Sequence, residues 1–177
     1  MSMDSSEFLY FLQARSSVRD YSGEPLAPDQ VEYIVKCART APSAGNREAW
    51  DVVVVTDADI RAELARAAYE QPHVGEAAAV FVVCANYVRS MSQYGERGIL
   101  YAVQDATIAC TYVMLAAHAE NLQSCWTGAF AEDEVREILK MPGHIRPIAL
   151  LAVGTGRVPA ERTGRMPAEE HLHYNVW

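Results

Sequence analysis

An α+β fold is the expected architecture, and three observations predict it. Uninterrupted apolar runs, VVVV at 52–55, AVFVVCA at 79–85 and IALLAV at 148–153, have strand length and strand composition. Segments with helical apolar spacing lie around them, the longest near 98–121. No internal repeat, linker or low-complexity tract divides the 177 residues. One domain over 1–177 is therefore expected, long enough to bury about 70 % of its unfolded surface.

Taken in order, Asp4 followed by Glu7 is a capping box that opens a first helix, DSSEFLYFLQA. RSSVRDY (15–21) then alternates as an extended segment does and ends at the turn SGEP. APDQVEYIVKCART (27–40) reads as a second helix, with Pro28 and Asp29 in its first turn and Pro42 closing it. DVVVVTD (51–57) has a continuous rather than alternating apolar run, which predicts a strand buried on both faces. DADIRAELARAAYE is an amphipathic helix and AAAVFVVCAN a second buried strand. Residues 87–97 are polar and expected to form a mobile loop, before a long helix from Gly98 to Asn121.

SCWTGAF (124–130) suits a short strand and turn, and EDEVREILK a helix stopped by MPG. RPIALLAVGTG is a further strand. The tail from 157 to 177 carries charges and two prolines and ends in HLHYNVW. Rings at a chain end are wasted in water, so the tail is expected to pack on another surface, such as a second subunit.

Half the residues are apolar and 21% are charged, the balance of a soluble globular protein. The net charge of -8 argues against a general nucleic-acid or acidic-membrane surface. A local basic pocket for one phosphate is still compatible with it. Lys36 and Lys140 are the only lysines, so arginine carries the positive charge. The first seventeen residues lack the basic, apolar and small-residue order of a signal peptide. Gln104, Asp105, His118 and Glu120 interrupt the apolar stretch Ile99–Leu122, which favours a helix buried in the protein or at a subunit interface over a membrane span. Cys37, Cys84, Cys110 and Cys125 lie far apart beside apolar runs. Buried free thiols and a cytoplasmic, reducing location follow, with no metal cluster.

Several familiar sites are excluded. GTG at 154–156 follows a strand, but Pro159 stands where a dinucleotide fingerprint needs its third glycine, and no helix follows. His171 and His173 have no partner spaced to complete a metal set, so packing or surface histidines are favoured. GxSxG, HExxH and Walker motifs are absent.

Two stretches carry chemistry. In an extended RSSVRDY, Arg15, Ser17 and Arg19 share a face, and paired guanidinium groups suit a phosphate-bearing ligand. Arg15 and Arg19 lie about 13 Å apart on that geometry, so they would reach different parts of the ligand. The alternative is a solvated charged edge pairing with Asp20 and Glu24. APSAGNREAW (41–50) offers Ser43, the backbone around Gly45 and the Asn46 amide, groups that suit the edge of a flat heteroaromatic ring. The alternative there is a helix stop followed by a turn.

Together these segments resemble the nitroreductase family of FMN-dependent oxidoreductases. RSSVRDY is similar to the family's N-terminal phosphate-binding motif, and APSAGNREAW to its APS…N.QPW loop. QDATIACTYVMLAAHAENLQSCWTGAF resembles its central dimer helix and flavin-edge turn, and RPIALLAVGTG and GRMPAEEHLHYNVW its last strand and C-terminal arm. The likeness spans nearly the whole chain in the right order. It implies a three-layer sandwich with a mixed, mostly antiparallel central sheet flanked by helices, in an intertwined homodimer with shared active sites. Arg15, Ser16, Ser17 and Arg19 of one subunit would bind FMN, helped by Arg165. Pro42, Ser43, Ala44 and Asn46 would come from the partner, and Trp126, Thr127 and Gly128 would lie near flavin N5 and O4, chiefly through backbone.

The implied reaction passes hydride from NAD(P)H to flavin N5 and then electrons to a nitroaromatic, quinone or similar flat acceptor, in ping-pong order. The chemistry is on FMN and no side chain is nominated as an acid. A flavin-cleaving, oxygen-using enzyme of benzimidazole-synthase type and a non-catalytic flavin-binding dimer are the alternatives on this fold. One departure stands out: Glu48 and Ala49 replace the family's Gln-Pro. The glutamate adds negative charge near an anionic cofactor, and the missing proline is expected to loosen the loop. The chain is short for the family, so a substrate pocket open or covered only by 87–97 is expected.

Overall fold

The computed structural model describes residues 4–161 and 163–177. Its helices are α1 (Ser5–Ala14), α2 (Pro28–Ala38), α3 (Ala58–Ala67), α4 (Pro72–Glu76), α5 (Tyr87–Tyr94), α6 (Arg97–Ala119) and α7 (Glu132–Ile138). The strands are β1 (Trp50–Val55), β2 (Ala79–Asn86), β3 (Gln123–Thr127) and β4 (Ile145–Gly154). They form one sheet in the order β1-β2-β4-β3 with every neighbouring pair antiparallel. A parallel bridge from Ser17 to Ser124 extends the sheet beyond β3 and makes it mixed.

Strand alternation sorts the core into two layers. Phe81, Val83, Leu151 and Val153 pack with α2 and α6, through Ile34, Ala106, Ala109 and Val113. Val80, Val82 and Leu150 face α3, α4 and α7, through Leu64, Val74 and Val135. The result is the expected helix–sheet–helix sandwich, with β2 buried along its whole length. The alanines of α6 let this 23-residue helix lie close against the sheet. By length and composition α6 could cross a membrane, but here it is a core helix.

Several local expectations hold. Asp4 and Glu7 form the capping box of α1, and Asp57 caps α3 by accepting from the Asp59 and Ile60 amides. Others need correction. β1 is an edge strand: it pairs only with β2, and Val53 is 38% exposed. A continuous apolar run records side chains, not what lies over them. Residues 87–94 are helix rather than loop, because the Asn86 side chain caps the Arg89 amide and Arg89 is held by tertiary bonds. Helix α2 ends at Ala38, before Pro42 acts, where the Thr40 and Ala41 amides turn back to the Cys37 and Ala38 carbonyls only three residues before them. Three of the four free cysteines are buried, but Cys37 is only half-buried.

Within the chain the tail finds little cover. Trp177 is 98% exposed and Tyr174 and Val176 are 77% exposed; among the described residues the tail's one ring contact is Trp177 stacked on His173. Phe8, Leu9 and Tyr10 of α1 also face outward.

Candidate active site

Val18 is fully buried, and its N–H donates to the Ser124 carbonyl at 3.0 Å. Tyr21 anchors the other end by donating its hydroxyl to the Ala152 carbonyl at 3.1 Å. The segment 15–21 is thus fastened along β3, with Arg15, Ser17 and Arg19 on the side opposite Val18. Gly156 allows this close approach, since a Cβ there would lie 2.5 Å from the Asp20 carbonyl. The second glycine of GTG therefore serves packing.

Arg15, Ser16, Ser17, Arg19 and Arg165 line one cleft of about 610 Å³. Arg15 and Arg19 form no ion pair or side-chain hydrogen bond among the described residues, and Arg165 donates only to its neighbour's carbonyl, that of Gly164. Asp20 is not their partner, because it pairs with Arg157 at 2.6 Å. The alternative of a self-compensated charged edge is therefore not what forms. Three guanidinium groups face one carboxylate, Glu161, with the hydroxyls of Ser16, Ser17 and Thr163 around the same cleft, and this excess of positive charge can hold a phosphate.

The field of these arginines reaches β3 and α4. Burial pushes the Cys125 thiol up, and Arg19 and Arg15 pull it partly back. His73 is held below the ordinary imidazole value, first by burial and then by Arg19. Its Nε2 shares a 2.9 Å hydrogen bond with the Thr127 hydroxyl. Thr127 therefore turns its side chain inward and is buried, and the chain reaches the surface at Gly128. Gly128 lines a further cleft of about 380 Å³ with Val103, Phe130 and Arg146, while Trp126 is half-buried. His73, a lone histidine in QPHVGE, gave no sequence signal.

The loop 42–49 is the most constrained segment near these clefts. Gly45, Asn46 and Glu48 all have left-handed φ, at 56°, 54° and 47°. A Cβ on Gly45 would collide with the Tyr94 hydroxyl. Ser43 Oγ accepts the Glu48 N–H at 2.9 Å. Asp105 accepts the Ala44 N–H at 2.9 Å and the Ala49 N–H at 3.2 Å. Arg89 of α5 donates to the Glu48 and Trp50 carbonyls and pairs with Asp51. Arg47 returns to α5 through the Arg89 carbonyl and Ser92.

The loop is thus pinned rather than loosened: the N–H that a proline at 49 would lack is bonded to Asp105. Pro42, Ser43 and Ala44 line a groove of about 490 Å³ with Tyr101, Asp105 and Ile108. Asn46 is exposed beside it in sequence. This groove shares no lining residue with the arginine cleft. The expected site residues therefore line three clefts: Arg15, Ser16, Ser17, Arg19 and Arg165 one, Gly128 at the end of β3 a second, and Pro42, Ser43 and Ala44 a third that shares Val103 with the second. Among the described residues no cluster of His, Cys, Asp or Glu could hold a metal.

The chain matches the sequence profile of the Nitroreductase family over residues 12–84 and 66–155. It is 31% identical over 152 residues to a putative NADH dehydrogenase/NAD(P)H nitroreductase of Archaeoglobus fulgidus, covering 84% of each chain. An FMN reductase (NADPH) of Bacillus subtilis is 26% identical over 175 residues, with 91% of this chain and 70% of that one covered. In three dimensions it is similar to the NADPH:FMN oxidoreductase of Vibrio harveyi complexed with NAD+, with a TM-score of 0.87 and 25% identity over 96% of this chain and 77% of that one. With the layered fold, the arginine cleft and the pinned loop on the same chain, this protein belongs to the nitroreductase family.

Proposed function

We propose that the chain is an FMN-dependent oxidoreductase that takes hydride from NAD(P)H and reduces nitroaromatic, quinone or similar flat acceptors. The observation that carries this reading is the arginine cleft: Arg15, Arg19 and Arg165 converge with Ser16 and Ser17, three cations against the single carboxylate of Glu161, and form no ion pair among the described residues. Its donor set fits FMN, whose phosphate needs charge-assisted donors and whose ribityl chain needs neutral ones. Relatives named FMN reductase and NAD(P)H nitroreductase support the same cofactor and electron donor.

Bound FMN supplies the redox chemistry, accepting hydride from the nicotinamide and passing electrons to the acceptor. The chain orients and excludes. Arg15, Ser16, Ser17 and Arg165 hold the phosphate end. Arg19 would set a positive charge toward the N1/O2 side, where reduction leaves negative charge. The backbone of Trp126, Thr127 and Gly128 would border N5 and O4. One unit over 1–177 would carry all of these groups, in the cytoplasm, where the free thiols stay reduced.

The loop group is assigned to the other subunit of a homodimer. Pro42, Ser43, Ala44 and Asn46 lie in a groove separate from the arginine cleft of their own chain. The exposed rings of the tail and of α1 supply apolar surface for such an interface. Donor and acceptor would then use one flavin face in turn, a ping-pong sequence. The test is optical: purified protein should be yellow, bleach anaerobically with NADH or NADPH, and recover its colour with a quinone. Colourless protein that takes up no FMN would refute the reading, as would flavin that no nicotinamide nucleotide reduces.

A further inference from the structure

We infer that Asp105 is the positioning residue of the loop 42–49, clamping its two ends and lowering the potential of the flavin it faces; this rests on the proposed flavin site. Asp105 is the one buried carboxylate among the described residues, at 2% exposure. It lies on α6 between Ala102, Ala106 and Ala109, on the helix face that packs against the sheet. A charge in such a place needs a reason, because burial is costly without partners.

Among the described residues its partners are two backbone amides. Oδ1 accepts from Ala44 and Oδ2 from Ala49. No cation pairs with it among the described residues. The two donors bracket the left-handed residues Gly45, Asn46 and Glu48. Such a conformation persists only where its surroundings over-determine it. One rigid side chain fixed on the core helix ties both ends of the strained segment, so Ser43 and Asn46 are presented in a single arrangement.

The same carboxylate borders the groove formed by Pro42, Ser43 and Ala44. In the proposed dimer this groove receives the edge of the neighbour's flavin. A negative charge behind that edge opposes the negative charge gained on reduction, so it holds the flavin potential down. Arg19 acts in the opposite sense from the other chain. The pair would set the potential between them.

Two variants of the full-length protein test the inference, Asp105→Asn and Asp105→Ala. Amide exchange followed by NMR reads the clamp without needing flavin or turnover. The Ala44 and Ala49 amides should exchange at least tenfold faster in Asp105→Ala, while Val82 and Leu151 in the core sheet keep wild-type protection. The midpoint potential of bound FMN reads the charge, and the sign of its shift carries the inference: loss of a negative charge should move it upward. Asp105→Asn is nearly the same size but neutral; it keeps one acceptor oxygen and turns a donor toward the other N–H, so it should raise that potential and release one end of the loop. Unchanged exchange at Ala44 and Ala49 in both variants would overturn the inference. So would equal acceleration across the core, or a potential that does not rise in Asp105→Asn. Should wild-type protein bind no FMN, the proposed function fails, and the exchange data still decide the clamp.

Discussion

Asp105 accepts the N–H of Ala49 at 3.2 Å across 56 positions of sequence, joining the core helix to the residue that leads into β1. Ala49 is fully buried. Proline at this position would remove the donor, leave a buried carboxylate oxygen unpaired, and force extra ring carbons into a packed site. Ala49→Pro should therefore cost about 1–3 kcal/mol or more of stability. Urea unfolding monitored by tryptophan fluorescence checks this. Unaltered stability would mean that the Ala49 bond contributes little.

Gly45 is the second pressure point of the same loop. Its φ of 56° suits glycine, and the Tyr94 hydroxyl occupies the space a Cβ would need. Gly45→Ala should destabilise by more than about 1 kcal/mol. Adding Tyr94→Phe should recover the part due to collision and leave the backbone part. Measured by the same unfolding assay, additive effects of the two substitutions would show that ring and loop do not interact.

His73 gives a pH dependence whose sign follows from its environment. Burial and Arg19 hold its pKa below the ordinary value of 6.5. The unfolded chain therefore binds the proton more readily than the folded one. The contribution to stability is full above the unfolded value and is lost as pH falls through the window toward the lower folded value. Unfolding free energy should drop as pH goes from about 7.5 to 5.5. His73→Gln should flatten that slope. An identical slope in the variant would assign the pH dependence to other groups.

Much of this architecture was legible because its signals are local. Asp4 and Glu7 mark the start of α1 within four residues, and the apolar run of β2 reports a strand covered on both faces. The alternation of RSSVRDY placed Arg15, Ser17 and Arg19 on one side before any fold was known. What stayed hidden depends on distant partners. Helix α5 looked like a loop because its polar face, with Arg89, is held by Glu48, Trp50 and Asp51 some forty positions away. Asp105 was visible only as a break in an apolar stretch, since its bonds reach 61 and 56 positions back. β1 carries the same valines whether its outer edge is covered or free.

The arginine cleft predicts how the cofactor should respond to truncation. Among the described residues Arg15 forms no ion pair that would have to be left unpaired, so Arg15→Ala should fold normally. A lost charge-assisted hydrogen bond is worth about 1.5–3 kcal/mol, so FMN binding should weaken roughly 10- to 150-fold. Titration of the apoprotein with FMN, followed by flavin fluorescence, measures this. Unchanged affinity would remove Arg15 from the phosphate site.

The central claim is that each flavin site is completed by two chains, and a mixed dimer tests it most directly. Arg15 and Asn46 would serve different sites within one chain and the same site across two. An Arg15→Ala chain and an Asn46→Ala chain, each first shown to be impaired as a homodimer, are paired and the heterodimer is isolated by orthogonal tags. With shared sites, one site collects both substitutions and the other keeps both native residues, so about one working site per heterodimer should return. If each site were built within a single chain, every site would carry one substitution, and a verified heterodimer would recover no NAD(P)H-dependent activity.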